Sequence, residues 1–142
     1  MLLKRLERII EIKEKKKEEK EKELKELTEL LNITENEIQR TKEEYAKNYS
    51  KLFSGLMEGS DFYILKDYLS YLEDREKLLI QKRLYLVKKM DEIKEQLLSI
   101  YRELKKLETL KEKALSTKRK EELKALQKKI DEIALRSKEA FV

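Results

Sequence analysis

The stretch SGLMEGSDF, residues 54–62, holds both glycines of a 142-residue chain that contains no proline. Gly costs a helix interior about 1 kcal/mol relative to Ala and readily takes the left-handed conformation that ends helices. Placed this close together, the two glycines mark a stop between two long helical segments. Gly55 suits the end of the first segment, and Ser60 or Asp61 suits the cap of the second by accepting backbone N–H bonds.

Composition supports helices on both sides. Charged residues make up 46% of the chain and aromatics 7%, and Cys, His and Trp are absent. Val occurs only at Val87 and Val142. Lys, Glu and Leu in excess with so little Val favour long exposed helices or a coiled coil over a sheet.

Before the glycines a seven-residue repeat runs through Leu3, Ile10, Lys17, Leu24, Leu31, Ile38, Tyr45 and Leu52. The interleaved row, Leu6, Lys13, Lys20, Leu27, Thr34, Thr41 and Asn48, is weaker and partly polar. After the glycines, Leu65, Leu69, Leu72, Leu79, Leu86, Met90, Ile93, Leu97, Ile100, Leu104 and Leu107 keep a stronger 3-4 spacing. Two such helices joined by a short link must lie antiparallel. The expected fold is therefore all-α: one long antiparallel two-helix coiled-coil hairpin spanning 1–142. Helix 1 is expected over about 2–54, the turn near 55–60, and helix 2 over about 61–139.

The arms are unequal. At 1.5 Å per residue, residues 1–54 make an arm of roughly 80 Å and residues 61–140 one of roughly 120 Å. A turn centred near residue 58 sets residue i beside about residue 116 minus i. Residues beyond about 115 then lack a partner in the chain, although Leu123, Leu126, Ile130, Ile133, Ala140 and Phe141 still supply apolar side chains. An unpaired amphipathic segment favours another surface. Within the paired part, EIKEKKKEEKEKE (11–23) falls opposite Ile93, Leu97, Ile100 and Leu104. Either the Lys13, Lys17 and Lys20 stems lie over that apolar row, or the stretch is loosened and the row faces a partner.

Aromatic residues gather near the turn: Tyr45, Tyr49, Phe53, Phe62, Tyr63, Tyr68, Tyr71 and Tyr85. Tyr68, Leu72, Arg75 and Leu79 form an i, i+4, i+7, i+11 line beside the second seam, so the apolar stripe there is wider than a two-helix seam needs. It is either a locally thicker core or a docking face.

Several function classes are disfavoured. Cys nucleophiles and His bases or ligands are excluded by composition, and no GxxxxGK[ST] phosphate loop occurs. A thin hairpin offers no pocket that excludes water. We therefore expect no catalytic residues, no cofactor and no metal. Residues 102–120 hold eight Lys or Arg against three Glu, which matches the net charge of +5. With only Tyr101 available to stack on a base, this run reads as a solvated basic face more readily than as an RNA-binding arm. No run approaches the ~20 apolar residues of a membrane span, and the N-terminal MLLKRLERIIEIKEKKK turns charged too soon for a signal peptide. The expected location is cytoplasmic.

Four stretches carry a resemblance: RLERIIEIKEKKKEE (5–19), YAKNYSKLFSGLMEGSDFYILKDYLSYLEDRE (45–76), LKKLETLKEK (104–113) and KALQKKIDEIALRS (124–137). Through them the chain resembles, over nearly its whole length, the FliJ family of the bacterial flagellar type III export apparatus, whose architecture injectisome stalk proteins share. The resemblance implies a non-enzymatic central stalk whose paired terminal ends enter the ring of the hexameric export ATPase. It also implies a hairpin body that contacts the membrane export gate protein, handling of export chaperones, and a peripheral place at the cytoplasmic face of the inner membrane. Carried over by position, the ring-facing residues are Arg5, Leu6, Arg8, Lys129, Asp131, Glu132, Ile133 and Arg136. The gate-facing residues are Tyr68, Leu72, Arg75 and Leu79. Alternatives are a prefoldin-like or self-associating structural coiled coil, or a basic hairpin arm that binds RNA. The first of these would need β-branched strands near the turn, which SGLMEGSDFYI barely supplies.

Overall fold

A computed structural model describes residues 1–55 and 57–141, with side chains described through residue 139. Leu56 in the turn, and the side chains of Ala140 and Phe141 in the apolar tail, lie outside the described residues. Nearly all of the described residues fall in two helices, α1 (Leu2–Lys51) and α2 (Gly59–Phe141). They form an antiparallel hairpin, as the glycine pair and the two seams predict.

The link is built from local bonds. The amides of Leu52, Phe53 and Ser54 donate to the carbonyls of Tyr49, Ser50 and Lys51 at 3.1, 3.3 and 3.2 Å, so the end of α1 tightens into i→i+3 turns. Gly55 then takes φ 70°, a left-handed conformation that a side chain would strain. At the start of α2, Phe62 N–H donates to the Glu58 carbonyl at 3.0 Å, which makes Glu58 the capping residue in place of Ser60 or Asp61. Asp61 instead sits in the first turn of α2, where its negative charge complements the helix dipole.

The chain divides into two compact units, residues 19–97 and residues 1–18 with 98–142. In the first, Leu65, Leu69 and Leu72 of α2 form a buried cluster against Tyr45 of α1 and Leu52 and Met57 of the link. Each buried Leu is worth about 1.5–3 kcal/mol relative to exposure. Farther along the same seam Ile38, Leu79, Leu86, Ile93 and Leu97 are buried as well. The polar seam row is satisfied within its own helix. Thr34 and Thr41 hydroxyls donate to the carbonyls of Leu30 and Glu37 at 2.8 Å, and Asn48 Nδ2 donates to the Glu44 carbonyl at 2.7 Å. These three side chains can therefore be buried without leaving an unpaired polar atom.

In the second unit Ile10, Ile100 and Leu104 form the core, with Leu107 packed against it. The lysine question is resolved in favour of cover. Lys13 and Lys17 are half-buried; Lys13 pairs with Glu103, and the Lys17 ammonium stands 6.0 Å from the Tyr101 ring centroid. Their stems roof an apolar row and their heads reach water or a carboxylate. Lys20, in the other unit, is also half-buried, and its ammonium meets Glu23 at 3.4 Å.

The predicted register holds in both units. Glu37 meets Arg75, Lys42 meets Glu76, and Tyr45 meets Glu73 in one. Glu7 meets Lys111 and Lys13 meets Glu103 in the other. Every pair lies within about one helical turn of the 116 minus i alignment.

Candidate interaction surfaces

The Tyr68 line straddles the edge of the seam. Leu72 and Leu79 are each 5% exposed, so they belong to the hairpin core and no partner reaches them without separating the helices. Tyr68 and Arg75 are accessible, and both are held by α1: the Tyr68 hydroxyl donates to Glu44 Oε1 at 3.4 Å, and Arg75 Nη2 lies 3.5 Å from Glu37 Oε2. Desolvation first, and then the Glu44 charge, push the Tyr68 phenol above its ordinary value. The wide stripe is thus part core and part surface.

A second row lies one residue ahead of the core row. Ile64, Tyr71, Leu78 and Tyr85 recur every seven residues and are 67%, 57%, 64% and 60% exposed. Tyr71 stacks on Tyr68, with ring centroids 6.2 Å apart and an interplanar angle of 24°. The sequence carries this signal in plain form, a heptad parallel to Leu65, Leu72, Leu79 and Leu86. It escapes notice because its side chains interleave with those of the seam. A second aromatic ladder runs from Tyr45 and Tyr49 of α1 to Phe53 of the link, with centroids 5.8 and 5.2 Å apart. Its inner member is fixed by the Tyr45 hydroxyl donating to Glu73 Oε1 at 2.9 Å, and that bond to a carboxylate raises the phenol's pKa.

At the other unit, Leu6 is buried, so it anchors α1 and is not a surface residue. Arg5 and Arg8 are exposed. Arg8 lines a groove of about 660 Å³ with Glu11, Glu108 and Glu112, among others. Lys129, Asp131, Glu132, Ile133 and Arg136 are all exposed on α2. The structure does not gather the two sets into one cluster. Lys129 lies about 20 Å farther along α2 than Leu115, the most C-terminal α2 residue lining the Arg8 groove. Every described side chain from Ser116 to Glu139 is exposed, among them Leu123, Leu126, Ile130 and Ile133. The expectation that α1 supplies no cover beyond about residue 115 is met.

Among the described residues, no group of three or more acidic side chains is placed to hold a metal ion, and no helix is long and apolar enough to cross a membrane. What these surfaces offer is recognition: an aromatic ridge, a bare amphipathic helix and exposed cations. No curated protein and no solved structure matches the chain. The family described as Flagellar FliJ protein matches residues 3–138, nearly the full length and across both units. The chain belongs to the FliJ family, the non-enzymatic structural components of the flagellar protein export apparatus.

Proposed function

We propose that this protein is the central stalk of the export ATPase, binding the hexameric ring through its terminal ends and the membrane export gate through the hairpin body. The observation that carries the reading is the stretch of α2 from residue 116 onward, whose apolar stripe has no cover from α1. Such a stripe at Leu123, Leu126, Ile130 and Ile133 gains most by entering a partner's cavity. Ring contact is assigned to Lys129, Asp131, Glu132, Ile133 and Arg136 of α2 together with Arg5 and Arg8 of α1, and the buried Leu6 anchors the α1 end that carries those two arginines. The protein performs no chemistry. An asymmetric hairpin on the axis of a six-fold ring contacts the subunits unequally, and differential contact is what biases subunits toward different nucleotide states. It would act from the cytoplasmic face of the inner membrane and hand export chaperones between ring and gate.

Gate contact is assigned to Tyr68 and Arg75 and extended to Ile64, Tyr71 and Leu78, because exposed aromatic and Arg side chains are the usual anchors of an interface. Ile130→Asp with Ile133→Asp should abolish binding to the export ATPase while leaving helix content unchanged. Tyr71→Ala with Leu78→Asp should weaken gate binding and spare ATPase binding. Retention of ATPase binding by the first double variant would remove the tail from the stalk. A self-associating reading rests on the same exposed heptad; a concentration-dependent dimer abolished by Tyr71→Ala would support it in place of gate docking.

A further inference from the structure

The charge of α2 is unevenly placed around the helix. At 100° per residue, Arg102, Lys105, Lys106, Lys113, Lys120 and Lys124 fall on one face of about 120°, directed away from the seam residues Ile100, Leu104 and Leu107. All six are exposed, and among the described residues none closes an ion pair. The carboxylates of the same stretch lie off that face: Glu103 is engaged by Lys13, Glu108 and Glu112 line the groove beside Arg8 with Glu112 at the rim next to Lys105, and Glu121 and Glu122 fall about 60° or more away. Between Glu95 and Asp131 this face holds no acidic residue. The cationic ridge from Arg102 to Lys124 runs roughly 33 Å along the helix.

The ridge is not purely ionic. Leu98 and Leu123 lie on it, 48% and 64% exposed, and Leu110 on its edge is 50% exposed. Arg102, Lys105, Lys106, Thr109 and Leu110 line a shallow groove of about 580 Å³. Its floor is made of side-chain methylenes, because the Thr109 hydroxyl turns inward to donate to the Lys105 carbonyl at 3.0 Å. Cations at a rim above an apolar floor match a phospholipid, with phosphate at the ammonium groups and glycerol and acyl carbons on the stems. Nucleic acid fits less well, since the face carries no aromatic ring for base stacking and one Arg against five Lys.

We propose that the carboxylate-free face formed by Arg102, Lys105, Lys106, Lys113, Lys120 and Lys124 is a docking surface for anionic phospholipid bilayers. The apolar seam of α2 is occupied by α1 as far as the packed residues extend, so the contact is electrostatic with shallow insertion of Leu98, Leu110 and Leu123. It is reversible and salt-sensitive. On the stalk reading above, it belongs to the protein before the ring takes this end; a vesicle assay contains no ATPase, so its result stands apart from that reading.

The test is flotation of the full chain with phosphatidylcholine vesicles, with and without phosphatidylglycerol. Binding should require phosphatidylglycerol and fall as salt rises. Lys105→Glu with Lys106→Glu and Lys113→Glu should weaken it by about tenfold or more. Lys25→Glu with Lys47→Glu and Lys66→Glu makes the same change in net charge on the other unit and should weaken it far less. Circular dichroism of both triple variants should match the parent, since all six lysines are exposed. Equal binding to phosphatidylcholine alone, equal loss in both triple variants, or tighter binding to single-stranded RNA than to the anionic vesicles would each overturn the proposal.

Discussion

Two parts of one helix carry apolar side chains at similar spacing and meet opposite fates. In α2, Leu72 and Leu79 are each 5% exposed, while Leu123 and Ile133 are 64% and 65% exposed. The residues are alike; the difference lies in whether α1 stands opposite. Spacing fixes where a stripe lies on a helix, and only a facing surface decides whether it is core. One part of α2 is therefore core, and the other is an uncovered apolar stripe.

The largest expected effect comes from Leu72→Asp, which buries a charge among Leu65, Leu69 and Tyr45. It should cost more than the ~2–5 kcal/mol of a Leu→Ala cavity, and urea titration should show the segment near the turn melting first. A Leu72→Asp protein as stable as the parent would break the assignment of this line to the core. Lys17→Leu comes next. It replaces a half-buried Lys on the seam with an apolar side chain, and thermal melting should show a gain of about 1 kcal/mol. A loss would mean that the Lys17 contact with Tyr101 outweighs burial.

A smaller effect follows the pH. The hydrogen bond from Lys13, and then its charge, hold the Glu103 carboxyl below the ordinary carboxylate range. A group lowered in the folded state contributes stability above its unfolded pKa and loses it as pH falls through the folded one. Parent and Glu103→Gln should therefore converge in melting temperature as the solution is acidified below pH ~4, and separate slightly above it. A gap of constant size across that range would remove the ion pair from the account. The smallest effect is expected in the tail, where Leu123→Ala with Leu126→Ala should change stability by no more than about 0.5 kcal/mol. A substantial loss there would show that the tail is already covered.

Much of this was legible in the sequence because helices obey simple periods. Gly55 announced a left-handed stop, the two seams announced antiparallel packing, and arm lengths announced the bare tail from residue 116. The lysines at 13, 17 and 20 left two readings open, since only three-dimensional contact tells a stem laid over Ile100 and Leu104 from one turned to solvent. The line through Tyr68, Leu72, Arg75 and Leu79 mixed two environments for a related reason. Adjacent positions on a helix differ by 100°, so a four-residue pattern at the rim of a seam joins buried and exposed side chains. The exposed heptad at Ile64, Tyr71, Leu78 and Tyr85 shares its seven-residue period with the seam row one position later, and burial alone separates the two. The cap at Glu58 was illegible, because the bond that defines it is made by a backbone carbonyl and leaves no mark on side-chain identity.

The central claim is that the uncovered end of α2 serves the export ATPase ring. Its most direct test is to titrate the cognate ATPase with this protein from zero to one copy per monomer, following hydrolysis rate and oligomeric state together. Saturation near one copy per six subunits, with more hexamer and faster hydrolysis, is the predicted result. An unchanged rate and unchanged assembly at every ratio would contradict it.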